Sequence, residues 1–167
     1  MISELHARLI KLGFPSMRLH ALVDGLQYQE FVEGEALENC QGTLALFRGT
    51  VDEALADAGP WLIDVETANL NLLKGIEQLE YIAHAVTWII SPLGTEALAA
   101  RLRLRLDVQL PDGRTAMLRF WDPRVLATIA QTMDDNQRRQ FFNDIVEWHF
   151  LLNGRRVHIG RHHADTH

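Results

Sequence analysis

Cysteine is the scarcest informative residue: Cys40 stands alone, which excludes an internal disulfide and any metal site built from several thiolates. Long apolar runs are missing too. The best candidate, Ala83 to Leu93, falls well short of the roughly 18 residues that a membrane span requires. The opening residues, Met1-Ile2-Ser3-Glu4-Leu5-His6, bring neither a basic lead nor an apolar stretch, so no secretory signal is read and a reduced, cytoplasmic setting is expected. There is no repeat, low-complexity tract or Pro/Gly/Ser-rich linker, hence one domain over the 167 residues. Gly-x-Ser-x-Gly elbows and phosphate-binding glycine loops are absent. What is present is an ordinary globular balance, 47% hydrophobic and 23% charged residues, enough to build a real core.

Charge is unevenly spread. The net value of -6 argues against nucleic acid as a partner. Twelve acids face two bases between Val23 and Glu80, whereas nine acids meet eleven bases from Tyr81 onward. Two readings stay open: faces of one molecule that meet each other, or a dipolar surface for a partner.

Periodicity supplies the elements. Ile2, Leu5, Leu9 and Leu12 mark an amphipathic helix stopped by Gly13. Arg18 to Val23 reads as a strand closed by an Asp24-Gly25 turn, with an acidic helix expected from Tyr28 to Leu37. Thr43 to Phe47 and Trp61 to Val65 read as buried strands flanking a short helix at Val51 to Ala58. Leu72, Ile76, Leu79 and Ala83 return to helical spacing behind Thr67 as a possible N-cap. Ala85 to Ile90 is β-branched and aromatic, hence strand, and Ser91-Pro92 looks like the cap and first position of another helix, covering Glu96 to about Leu102.

From Arg101 to Leu110 leucine or valine alternates with polar residues, which predicts a half-buried strand for at least the latter part. Pro111-Asp112-Gly113 then turns it into a returning strand at Thr115 to Trp121. Asp122-Pro123 opens a helix, and Asp134 with Gln137 resembles a capping box. Val146 to Leu152 and Val157 to Ile159 alternate around Asn153-Gly154, a second hairpin in the terminal segment 143–167. The fold class is α/β, a single domain with a mixed sheet, interleaved helices and at least one β-hairpin.

Candidate chemistry is sparse. Cys40 lies in acidic surroundings that raise a thiol pKa rather than activate it. The terminal hairpin places His149 opposite His158, with Glu147 on the same face and His162-His163 beyond. Such a pair can bind zinc or copper, but the wet face of a hairpin explains it, and no metal or other cofactor is expected. Asp24 and Asp122 both end strands. Helix capping accounts for each, and an acid/base pair is the sharper alternative. Arg101, Arg103 and Arg105, with Arg114, Arg119 and Arg124, suggest a protein-binding face, to which Asp24 is adjoined. Self-pairing with the acidic half competes with that reading. Trp61, Trp88, Trp121 and Trp148 sit in strand-like runs and are expected mostly in the core.

Four segments, taken in order, add a resemblance. They are Ala21-Leu22-Val23-Asp24-Gly25, Ala45-Leu46-Phe47-Arg48-Gly49-Thr50, Leu55-Ala56-Asp57-Ala58-Gly59-Pro60-Trp61-Leu62, and Leu110-Pro111-Asp112-Gly113-Arg114 leading into Leu118-Arg119-Phe120-Trp121-Asp122-Pro123-Arg124-Val125-Leu126. The ordered set resembles the type VI secretion adaptor family over roughly Arg18 to Phe142. That resemblance implies a non-enzymatic bacterial chaperone that binds a toxic effector in the cytoplasm and helps load it onto the VgrG or PAAR spike. It implies no catalytic residues. Two alternatives from other classes are a small hydrolase or transferase using Asp24 and Asp122, and a scaffold that only self-associates.

Overall fold

The computed structural model describes residues 1–13 and 15–160, and the backbone of 164–166. Helix α1 (Ile2–Leu12) ends at Gly13 in the left-handed conformation, φ 69°, which a side chain would disfavour. Strand β1 (Arg18–Asp24) follows, and its residues after Arg18 are all buried. It is an inner strand of a sheet, with β3 (Pro60–Asp64) on one side and β4 (Val86–Ser91) on the other. Adding β2 (Thr43–Ala45), β7 (Glu147–Leu152), β8 (Arg155–Gly160) and β9 (Ala164–Thr166) gives the order β2-β3-β1-β4-β7-β8-β9. A separate two-stranded ribbon pairs β5 (Asp107–Gln109) with β6 (Thr115–Met117).

The expected α/β domain with interleaved helices and hairpins is therefore present. Its refinement is strand direction: every pairing among the described strands is antiparallel. The continuous apolar runs of β1, β3 and β4 arise because helices cover both faces of the sheet, a pattern shared with parallel sheets.

Side-chain alternation separates the two faces. Ala21 and Trp88 share one, where α1 and α3 (Leu70–Ile82) pack and Trp88 Nε1 donates to Glu80 of α3 at 2.9 Å. His20, Ile89 and Trp148 share the other, under α4 (Thr95–Arg103), α5 (Pro123–Thr132) and α6 (Asp135–Phe141). There Trp148 lies parallel to Phe141 and edge-on to Phe120 and Phe142. All four tryptophans are in the core. Among the described residues no helix is long and apolar enough to cross a membrane.

Several local expectations shift. The helix after Asp24 begins at once, α2 (Gly25–Phe31), and stops before Val32-Glu33-Gly34-Glu35, where a β-branch, a glycine and like charges disfavour continuation. Leu37–Asn39 is a separate 3₁₀ turn. The first of the two flanking strands ends at Ala45, short of Phe47. Val51 to Ala58 forms only a 3₁₀ turn at Glu53–Leu55. Helix α3 is capped by Asn69, whose Oδ1 accepts from Leu72 N at 2.9 Å, while Thr67 instead bonds Asp64. Ser91 does not cap α4. Its hydroxyl donates to the Asp144 carbonyl at 2.6 Å and accepts from Leu93 N, and the helix starts at Thr95 behind Gly94.

Between Arg101 and Leu110 the helix to about Leu102 and the strand in the latter part both form, and the correction concerns the earlier alternating residues. Arg101 and Arg103 belong to the last turn of α4, and Leu104, which a strand would bury, is exposed. Leu98, Ala99 and Leu102 are the buried set, a helical spacing, so the apparent period of two was carried by an exposed leucine. Only Asp107–Gln109 is strand, and its return ends at Met117 rather than Trp121. The caps at Asp122 and Asp134, the latter a full capping box, form as expected. So does the terminal hairpin, with Asn153 and Gly154 both at positive φ and His149 opposite His158.

Candidate functional site

One end of the sheet gathers the four segments singled out from the sequence. Asp24, at the end of β1, is buried and has both carboxylate oxygens engaged. Oδ1 accepts from Gln27 N at 3.0 Å, capping α2. Oδ2 accepts from Trp121 Nε1 at 3.2 Å and from the Arg119 guanidinium at 3.4 Å. Gly25 is required by close approach, since a Cβ there would lie 2.2 Å from the Asp57 carbonyl and 2.7 Å from that of Gly59. At Gly59 a Cβ would strike the Phe47 ring at 2.4 Å. Phe47 in turn meets Trp121 edge-on, with centroids 5.7 Å apart. Trp61 packs beside Gly25 and donates its indole N–H to the Asp57 carbonyl at 3.2 Å. The segments thus interlock through glycine contacts, indole hydrogen bonds and one carboxylate.

Asp122 is the second buried carboxylate of this end. Oδ1 accepts from Arg124 N at 2.9 Å as the cap of α5, and the Arg124 side chain bonds both oxygens, at 3.0 and 2.7 Å. Burial pushes the Asp122 carboxyl up, but the hydrogen bonds and charge of Arg124, with Arg119 nearby, outweigh it and hold it below its ordinary value. Both carboxylates and both arginines line an open cavity of about 340 Å³, together with His84, Phe31 and Ile82. The acid pair and a neighbouring histidine therefore do come together. Each carboxylate oxygen, however, already accepts from a backbone, indole or guanidinium donor, and among the described residues no serine, threonine or cysteine lines the cavity.

The remaining arginines are placed differently. Arg101 pairs with Asp144 at 3.4 Å. Arg103 donates to the carbonyls of Leu46 and Ala45, and Arg105 to that of Asn143 while lying over the Phe141 ring. These three hold α4 and its exit to neighbouring loops rather than forming an outward row. Arg114 sits at the tip of the ribbon, paired with Asp112 at 2.8 Å. Of the six candidate arginines, the structure brings only Arg119 and Arg124 together in one cavity with Asp24.

On the opposite sheet edge, the His149 and His158 rings stack with centroids 5.2 Å apart. Glu147 bonds His149 at 2.9 Å and Arg8 Nε at 3.0 Å. Burial raises its carboxyl, but those partners bring it down to about 2. Among the described residues no group of three or more histidine, cysteine or acidic side chains could hold a metal ion, and His162-His163 lie outside the described residues. Cys40 is buried, and burial, followed by Glu35, pushes its thiol up.

Sequence reasoning missed several members of these clusters. Phe31, Ile82 and His84 reach the cavity from the ends of α2 and α3, with no motif to announce them. It also missed His20, wholly buried in β1, whose Nε2 lies 3.3 Å from Thr95 Oγ1, itself 3.3 Å from Asp64 Oδ2. Burial lowers the His20 pKa to about 4, against the pull of Asp64 and with a further push from Arg18.

Fold and site define a class: an α/β domain on an antiparallel sheet, locked at one end by an Asp–Trp–Arg cluster. Residues 19–140 match the family described as a domain of unknown function, DUF4123, and the chain belongs to that family. The matched span contains the whole interlocked end and stops before the terminal hairpin. No curated protein and no solved structure matches the chain.

Proposed function

We propose that the protein is a non-catalytic adaptor that binds a type VI secretion effector in the bacterial cytoplasm and helps load it onto the VgrG or PAAR spike. The resemblance of the four ordered segments to such adaptors supports this, and all four lie within the span that matches the family model. The observation that carries the reading is the commitment of Asp24 and Asp122. Every oxygen of the would-be acid/base pair already accepts a hydrogen bond that shapes the fold, while the groups left facing solvent around them include two guanidiniums, the His84 imidazole and two large apolar side chains. That is the composition of a protein-binding surface.

The test is to read the gene neighbourhood and to co-express the chain with any toxin and spike encoded there. The adaptor reading expects a complex that co-purifies with the toxin, and toxin delivery that stops when the adaptor gene is removed. An isolated metabolic gene neighbourhood, or hydrolysis of simple esters that disappears in Asp122→Asn, would favour the hydrolase reading. Self-association with no binding to either product would favour the scaffold.

A further inference from the structure

The cavity at the locked end of the sheet has a construction beyond what the fold needs. Arg119 and Arg124 are 57% and 64% exposed, yet each is tethered from beneath by a buried carboxylate. Arg119 spends one amino group on Asp24 and rests its guanidinium over the Trp121 ring, 5.7 Å from the centroid. Arg124 spends Nε and one amino group on Asp122. The second amino group of each, and Arg119 Nε, make no hydrogen bond among the described residues. Guanidiniums held in this way lose little rotamer freedom when an anion arrives, and their open edges suit a carboxylate.

Beside them, Phe31 and Ile82 are 50% and 59% exposed and line the same cavity from the ends of two different helices. Scattered apolar side chains on a surface need no explanation, but two large ones sharing a cavity with two tethered cations do. Arg101, Arg103 and Arg105 do not line this cavity; Arg103 and Arg105 donate to loop carbonyls, and Arg101 pairs with Asp144 away from Phe31 and Ile82.

We propose that this cavity is a docking site for an acidic, apolar-flanked segment of a protein partner. A partner carboxylate lies across the open edges of Arg119 and Arg124, and the neighbouring apolar residue packs on Phe31 and Ile82. The proposal rests on the adaptor reading for the partner's biological role, and on the open guanidinium edges beside exposed Phe31 and Ile82 for its chemistry.

The full chain tests this with a short peptide alternating glutamate and leucine, and a control peptide with glutamine in place of glutamate. Binding is followed by backbone amide shifts and by anisotropy of a labelled peptide. The expected result is shifts centred on Phe31, Ile82, His84 and Arg119, with the glutamate peptide about tenfold tighter than the control. Arg119→Gln combined with Arg124→Gln should abolish that preference. Phe31→Ala, which leaves both ion pairs intact, should weaken the two peptides alike. Equal affinity for the two peptides, shifts elsewhere, or a preference that survives the double variant overturns the site. So does concentration-dependent self-association that shifts these same amides, since the occupant is then a second copy. Co-purification with a candidate type VI toxin separates the two claims: a toxin complex untouched by the double variant removes the site and keeps the adaptor. Failure of the wild-type chain to bind toxin, with peptide binding intact, removes the adaptor and keeps the site.

Discussion

The acidic surface between Glu30 and Asp57 and the arginines of the second half carry opposite charge, and they behave in opposite ways. Glu30, Glu33, Glu35, Glu38, Asp52, Glu53 and Asp57 form no ion pair among the described residues. Arg101, Arg114, Arg119, Arg124 and Arg156 are all paired, with a near neighbour or with a buried carboxylate. Arg119–Asp24 and Arg156–Glu80 do join the two halves of the chain, but both run to buried carboxylates, and the second half does not neutralise the exposed acids between Glu30 and Asp57. Partners are chosen by proximity and burial, because an exposed pair separated by solvent contributes too little to draw two long side chains together. The acidic surface stays solvated, while charge at the locked end is fixed in place.

The sharpest break of that comparison is Trp61→Ala at the locked end. Removing a buried ring that packs against Gly25 should cost about 3–5 kcal/mol, read as an early thermal melt. Unchanged stability would mean that the end is not a structural unit.

Asp24→Ala and Asp122→Ala come next, and they should differ. Loss of Asp24 strips α2 of its cap and leaves the buried Trp121 indole without an acceptor, about 2–4 kcal/mol in urea unfolding. Loss of Asp122 removes a cap and an exposed-side pair, about 1–2 kcal/mol. Equal costs would show that the indole bond contributes nothing.

Acid should act on the buried histidine before the carboxylates. The folded His20 pKa is lowered to about 4 from an ordinary 6.5, so the unfolded chain binds the proton more readily. Its contribution is full above 6.5 and is lost as pH falls towards about 4. Melting temperatures of wild type and His20→Asn should converge over that window, and parallel curves would contradict it. Glu147, held at about 2 against an ordinary 4.5, adds a second loss only below that ordinary value.

The smallest effect belongs to the acidic surface. Replacing Glu30, Glu33 and Glu38 by glutamine should raise stability by less than about 0.5 kcal/mol per site. The gain should fade with added salt, as relief of screened repulsion must. A marked loss in low-salt urea melts would reveal partners for these carboxylates.

Much of the fold is legible in the sequence alone, because local physics decides it. Gly13 stops α1, Asp122-Pro123 starts α5, Asp134 and Gln137 close a capping box, and Asn153-Gly154 sets the hairpin register that stacks His149 on His158. Each is settled by a few adjacent residues and the bonds they can make. Tertiary packing decided what those residues could not. Whether Arg101 to Leu110 alternates as strand or turns as helix depended on which leucines found a core, and Leu104 did not. The apolar runs of β1, β3 and β4 suit a parallel or an antiparallel sheet equally, and only the pairing of distant strands chose the second. The candidate site lies furthest from local control: Asp24, Phe31, Ile82, His84, Arg119 and Asp122 are brought to one cavity by contacts between distant segments. A sequence states what each side chain can do, and only packing across the sheet end selects which of them share a cavity.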